Sequence, residues 1–262
     1  MTAEKADREQ ADREQNQLAR LFPAGTSVSH LAVYDWSSPD GLRGGSAHVH
    51  LACTEGYVVV GGRGRLQTLG PDGYAETPLT PLTVAWFSPG VIHRLVNDAD
   101  LQIVVVMQNS GLPEAGDCVL TFPSDHLEGP EAYSLAASLA DPERVYATDG
   151  EAAEKRKNLA VEGFLALRER FETEGPSALE EFYAAAAALT RSKVPAWRDT
   201  WEAGPLAAAQ RTGEQLAALA DGEHRHLHEG RLTVSEPPST RKYGMCGKLA
   251  TYATSRTASA TS

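Results

Sequence analysis

Between Ser27 and Met107 the chain is cut every few residues by turn chemistry, and the pieces between the cuts are rich in β-branched and aromatic residues. Val28 to Trp36 alternates. Tyr57 to Val60 ends at Gly61-Gly62-Arg63-Gly64, and Leu66 to Leu69 ends at Gly70-Pro71-Asp72-Gly73. Leu82 to Phe87 stops at Ser88-Pro89-Gly90, Val91 to Val96 stops at Asn97-Asp98, and Leu101 to Met107 follows. Gly and Asn at these breaks supply the positive φ angles that tight hairpins require. Consecutive short strands joined in this way predict an antiparallel sandwich or barrel, not βαβ units.

After Pro130 the period changes. Ala132 to Ala140, Glu151 to Glu174, Ser177 to Ser192 and Trp197 to Leu219 are rich in Ala, Leu and Glu at helical spacing. Leu159, Phe164, Leu165, Leu167 and Phe171 form one apolar stripe. Pro176 suits a first helical turn, and Gly204-Pro205 is expected to break or kink the last helix. Lys155-Arg156-Lys157 and Arg241-Lys242 are expected on solvated faces or helix ends. Glu236-Pro-Pro-Ser-Thr240 reads as a loop. The expected organisation is therefore a polar N-terminal arm over 1–17, a β-barrel over 18–128, a mostly α-helical extension over 129–252 and a disordered Ser/Thr/Ala tail over 253–262. The arm contains a direct repeat, Ala6 to Gln10 followed by Ala11 to Gln15, too short for a solenoid.

A net charge of -11 argues against binding a phosphate backbone, and no basic recognition helix stands out in the helical region, so no nucleic-acid partner is expected. No run approaches the roughly 20 apolar residues that span a bilayer, and the polar N-terminus has no apolar core of a signal peptide. Cys53, Cys118 and Cys246 are odd in number and far apart, which suggests neither a disulfide framework nor a thiolate zinc site. A cytoplasmic location without a membrane partner is the expectation.

Chemistry concentrates in His48-Val-His50-Leu-Ala-Cys-Thr-Glu55 and, downstream, Pro89-Gly90-Val-Ile-His93. In an extended segment residues i and i+2 share a face, so His48 and His50 converge. Two neutral imidazoles on one face are half a metal site. Glu55 stands an odd number of residues from His50, so for it to join them the chain must turn or bulge at Ala52-Cys53-Thr54, with Glu55 opening the next strand. His93 would have to arrive from a distant strand.

The order HxHxxxxE, with Gly62 seven residues after the Glu, followed by PGxxHxxxN (Pro89, Gly90, His93, Asn97), resembles the two motifs of the cupin superfamily over roughly residues 40 to 108. The glycine before HxH is displaced and Pro89 directly precedes Gly90, departures that touch no ligand position. The resemblance implies a double-stranded β-helix, or jelly-roll barrel, holding one divalent transition metal through His48, His50, Glu55 and His93. Such a ligand set suits Fe, Mn, Ni, Co, Cu or Zn. It also implies a small-molecule ligand or substrate and a homodimer.

Within such a barrel, alternation places Tyr57 and Val59 inside and Val58 and Val60 outside. Trp86, Phe87 and Met107 are candidate apolar pocket walls, Gln67, Gln102 or Gln108 candidate polar contacts, and Asn97 shares the side of His93. No dedicated general base can be named. His224, His226 and His228 lack an accompanying cysteine or ordered carboxylate pattern and read as surface residues. The leading functional expectation is a metal-dependent oxygenase of the dioxygenase type. A metal-dependent isomerase, lyase or cyclase is the alternative, as is a non-catalytic sensor that binds a small ligand.

Overall fold

A computed structural model describes residues 22–139 and 149–252; the expected arm over 1–17 and tail over 253–262 lie outside the described residues. The strands are β1 (Ser27–Val33), β2 (His48–Val49), β3 (Glu55–Gly70), β4 (Gly73–Leu79), β5 (Val84–Phe87), β6 (Ile92–Met107), β7 (Val119–Leu120), β8 (Lys242–Tyr243) and β9 (Gly247–Thr251). They form one sheet whose main path is β4-β3-β6-β1-β9-β8, with β5 on β3, β2 on β6 and β7 on β2. The N-terminal half is thus a double-stranded β-helix, and the C-terminal half is mainly helical.

The frame is the pairing of β3 with β6, two antiparallel strands of 16 residues each, from Glu55↔Met107 to Leu69↔Ile92. Two breaks expected to end strands, Gly61–Gly64 and Asn97-Asp98, instead lie inside them. The register shifts between Val59 and Gly64 are bulges, which bend a strand so that a sheet can close on itself. Gly62 has φ +67°, and a Cβ there would overlap the carbonyls of Ala99 and Asp100. Asn97 pins the facing segment: its amide donates to the carbonyls of Val33 (3.1 Å) and Tyr34 (3.3 Å), and its Oδ1 accepts the Leu101 N–H (3.0 Å).

Among the described residues five α-helices follow: α1 (Pro130–Ala137), α2 (Asp149–Glu174), α3 (Ser177–Thr190), α4 (Val194–Trp201) and α5 (Ala207–Ala220). Gly204-Pro205 does break the last predicted helix, through a π-turn over Glu202–Leu206 that joins α4 to α5. From the predicted stripe, Phe164 and Leu167 of α2 are buried. With Leu179, Phe182 and Leu189 of α3, they pack on Ala47, Val49, Leu69 and Ile92 of the barrel. This cover explains why Ile92 to Asn97 is buried on both faces and loses its alternation.

Two expectations are corrected here. The barrel's sheet is not confined to the expected 18–128: β9 pairs with β1 from Ser29↔Thr251 to Val33↔Gly247, adding a strand from within the 129–252 extension. Five residues, Gly-Lys-Leu-Ala-Thr, are too short a run to carry a periodic signal that distinguishes them from a loop, and the partner that orders them is remote in sequence. Nor are Arg156 and Lys157 solvated. Lys157 Nζ donates to the carbonyls of Trp36 (3.1 Å) and Ser37 (2.6 Å), and Arg156 donates to those of Gly244 (2.7 Å) and Ala137 (3.4 Å). Burial lowers the Lys157 ammonium to about 8.

The docking of α2 is close at Gly163, where a Cβ would overlap the Thr121 carbonyl and the Phe122 backbone, whereas Gly213 of α5 faces open space. Gly→Ala in a helix ordinarily stabilises by about 1 kcal/mol. Gly213→Ala is expected to show that gain, and Gly163→Ala to show a net loss of about 1–3 kcal/mol from forced displacement. Chemical denaturation of both variants checks the contrast.

Candidate metal centre

His48 lies on β2 directly opposite His93 of β6, flanked on its other side by Leu120 of β7. Their Nε2 atoms stand 3.1 Å apart. His50 follows just past the end of β2, where its carbonyl accepts the Gly90 N–H (3.0 Å). The chain then leaves the strand. Asp117 Oδ1 accepts the N–H groups of Leu51 (3.0 Å) and Ala52 (2.8 Å), Asn109 donates to the Ala52 carbonyl (3.0 Å), and Gln108 Oε1 accepts the Thr54 N–H (3.2 Å). This pinned turn absorbs the odd spacing, so Glu55 enters β3 with its side chain inward.

The four buried side chains each offer a donor atom, and these all lie within 4.8 Å of one another. Glu55 Oε2 is 3.3 Å from His50 Nε2 and 3.1 Å from His93 Nε2. Each imidazole is turned by its other nitrogen: Nδ1 of His48 faces the Ser46 carbonyl (3.2 Å), Nδ1 of His93 the Val91 carbonyl (3.0 Å) and Nδ1 of His50 the Asp117 carbonyl. A carbonyl can only accept, so each Nδ1 carries the proton and each neutral ring directs its Nε2 lone pair to the common centre.

Burial, reinforced by the neighbouring His93 and His50 rings, holds the His48 imidazole well below its ordinary pKa. Burial would raise the Glu55 carboxyl, but His50 and His93 outweigh it and hold it well below the usual range. Burial also opposes charge on His50, yet Asp117 and Glu55 lift it to about 10. That protonated form would put its proton on Nε2, the atom a cation would take. Glu55 Oε2 is a fully buried oxygen without a hydrogen bond. Three imidazole nitrogens and one carboxylate oxygen that converge in a buried space call for a positive charge among them, which a bound cation would supply in place of that proton. The donor set therefore fits a divalent metal held by three imidazoles and one carboxylate.

Beside this centre opens a cavity of about 260 Å³ whose walls are mainly apolar. Tyr57 and Met107 line it together with His48, His50 and Glu55. Phe87 packs its ring 4.1 Å from that of His93 and 5.4 Å from that of Tyr57. Trp86 does not join them: Glu55 pairs with Phe87 and Gly56 with Trp86, so strand alternation turns Trp86 outward, 73% exposed. Gln67 is buried elsewhere, bonded to Glu76 (2.9 Å) and Arg94 (3.5 Å), and Asn97 serves the bulge described above. Gln102 lies on the partly exposed outer side of β6, and the Gln108 amide serves the Thr54 turn. His224 and His228 are exposed around a short 3₁₀ turn, and among the described residues no second cluster of metal donors forms.

Sequence reasoning missed Asp117 and the wall formed by Met245, Cys246 and Leu249. An aspartate after Gly116 looks like turn chemistry, and only the fold brings it under His50. Half-buried Cys118 and buried Cys246 both reach the cavity as free thiols.

No protein-family model matches the chain, and no curated protein matches it. Solved structures do. The capsular polysaccharide assembling protein CapF from Staphylococcus aureus aligns over 31% of this chain and 22% of its own at 23% identity, with a TM-score of 0.23. The Streptomyces nucleoside dehydratase Pac13 aligns over 34% of this chain and 62% of its own at 13% identity, with a TM-score of 0.26. A protein with a double-stranded β-helix domain from Klebsiella pneumoniae aligns over 35% of this chain and 73% of its own at 20% identity, with a TM-score of 0.26. The aligned stretch spans less than two thirds of CapF and of Pac13.

Asp117 both turns the chain after His50 and supports its ring. Asp117→Asn is expected to weaken divalent-metal affinity about 10- to 100-fold without removing any of the four donors. Competition against a metal-binding dye, with circular dichroism to verify folding, measures it.

Proposed function

We propose that the protein is a metal-dependent enzyme of the cupin type that acts on a small, neutral, largely apolar metabolite as an oxygenase. The observation carrying this reading is a cluster of four metal donors, three of which (His48, His50 and Glu55) stand in the wall of a small, mainly apolar cavity. No Lys or Arg lines that cavity among the described residues, which disfavours carboxylate and phosphate substrates. Its volume is below the usual range for drug-sized ligands. When bound, a redox-active metal would supply dioxygen activation and a redox-silent one Lewis-acid polarisation. The chain's own groups hold and shield. The backbone carbonyls fix the imidazoles, and the apolar walls exclude water. The Tyr57 phenol, pushed well above its ordinary pKa by burial and the nearby Glu55 carboxylate, stays protonated as a hydrogen-bond donor to bound ligand.

The alternative of isomerase, lyase or cyclase chemistry needs a second acid or base in the lumen. Besides Glu55, the one carboxylate that lines the cavity among the described residues is Glu114, which is exposed. A non-catalytic sensor would use the same centre only as an anchor.

Elemental analysis of protein purified without a metal-affinity tag is expected to give about one equivalent of metal, lost in His48→Ala and Glu55→Gln. Iron or copper, with oxygen uptake on a panel of small neutral aromatic and aliphatic compounds, supports the oxygenase. Turnover without oxygen uptake transfers the proposal to the isomerase or lyase class, and stoichiometric metal with ligand binding but no turnover leaves the sensor. Absence of metal even after reconstitution sinks the metalloenzyme.

The proposal includes a homodimer. What supports it is the outer face of β5 and β3 with the turn that leads from β4 into β5, where Val60, Leu82, Val84 and Trp86 are exposed, Leu82 at 86%. Such a face is an association surface by composition. Light scattering is expected to give twice the chain mass, and Trp86→Lys to shift the protein to monomer. A monomeric wild type overturns the dimer.

A further inference from the structure

The segment from Gly244 to Thr251 returns from beyond the helices to complete the cavity wall. Met245, Cys246, Leu249 and Thr251 line the same space as His48, His50 and Glu55. Its seat is specific. The Ser46 N–H donates to the Met245 carbonyl (3.0 Å), and the Tyr34 N–H donates to the Cys246 carbonyl (3.1 Å). At Gly45 a Cβ would overlap the Cys246 backbone, so only glycine lets the segment lie this close. Cys246 Sγ reaches to 3.9 Å from His48 Nδ1, which puts the wall beside a metal donor.

The same segment is held from outside by α2. Arg156 Nη2 donates to the Gly244 carbonyl (2.7 Å), which also accepts the Tyr34 hydroxyl (3.0 Å), and Arg156 is itself buried. Met245 packs against the barrel core and also against the cluster of Leu120, Phe122 and Ala160 under α2. Methionine is the most adaptable apolar side chain, and one bridging two clusters fills a gap that a smaller residue would leave open. Leu249 pairs with inward-facing Leu31, so it too points into the barrel. Neither residue is among the four donors, and both line the cavity that His48, His50 and Glu55 face.

We propose that Gly244–Thr251 is the specificity wall of the site: Met245 and Leu249 limit the size of ligand that reaches the metal, and Arg156 is the positioning residue that holds the wall closed. The proposal rests on the metal-centre reading above. It also assigns a role to the helical half, whose longest helix clamps a wall of the cavity instead of forming a separate module.

The test uses the full chain loaded with Co(II), titrated with imidazole and with the bulkier 4-phenylimidazole, and followed by its visible spectrum. Imidazole is expected to bind wild type, Met245→Ala and Leu249→Ala within about threefold of one another. 4-Phenylimidazole is expected to bind Met245→Ala at least tenfold tighter than wild type, and Leu249→Ala tighter by a smaller factor. Arg156→Met is expected to lose the discrimination between the two probes while retaining one equivalent of Co(II), and Arg156→Lys to recover part of it. A purely structural Arg156 would change the melting temperature and leave the discrimination ratio alone. Unchanged 4-phenylimidazole affinity in both wall variants, with Co(II) and imidazole bound normally, overturns the wall. Failure of Co(II) to bind, or of imidazole to alter the spectrum of any form, overturns the metal centre and the wall with it.

Discussion

The pairing of β3 with β6 governs everything else in this molecule. Glu55 begins β3 and His93 lies near the start of β6, so in an antiparallel ladder they belong to opposite ends. His93 pairs with Thr68, 13 positions from Glu55 (68 minus 55), a separation of roughly 43 Å in a flat strand. Yet Glu55 Oε2 and His93 Nε2 stand 3.1 Å apart. Only a ladder curled into a closed barrel brings them together. The bulges at Gly61 to Gly64, with Gly62 at positive φ and Asn97 tying the facing backbone, supply the bend. The centre is thus a consequence of sheet curvature, and a change that straightened the bulge would separate donors it never touches.

That dependence explains which parts of the structure were legible in advance. Local pattern carries strand alternation, so Tyr57 and Val59 inward and Val60 outward follow from the sequence alone. Spacing carries the pinned turn before Glu55, because an odd step on a strand changes face. Trp86 and Phe87 illustrate the limit: two adjacent aromatics cannot both face the lumen, and only the register with Glu55 and Gly56 decides between them. Asp117, Met245 and Leu249 were illegible for a different reason. Their positions are set by contacts with residues far away in the chain, and nothing in their local neighbourhoods departs from ordinary turn or tail composition.

The charged residues of α2 were misjudged on similar grounds. A run of three cations on an Ala- and Glu-rich helix ordinarily faces water. Here Lys155 is exposed while Arg156 and Lys157 turn under, and their partners are backbone carbonyls of Gly244, Trp36 and Ser37. Those carbonyls sit outside the named strands, in irregular segments at the barrel's edge. The two cations thus answer a hydrogen-bonding need of the barrel's rim, which joins the helical half to the β half by polar contacts as well as by the apolar face of Phe164 and Leu167.

The late arrival of β9 has a further consequence, in time. From Val33, which ends β1, to Gly247, its partner, is 214 positions (247 minus 33). At ribosomal rates of about 5–20 residues per second, the edge of β1 that β9 will cover waits roughly 10–40 seconds after it is made. During that interval the nascent barrel has an open, apolar edge beside Leu31 and Val33 that invites pairing with another chain. Whatever occupies the edge in those seconds, a chaperone or a neighbouring nascent chain, competes with β9 for its place.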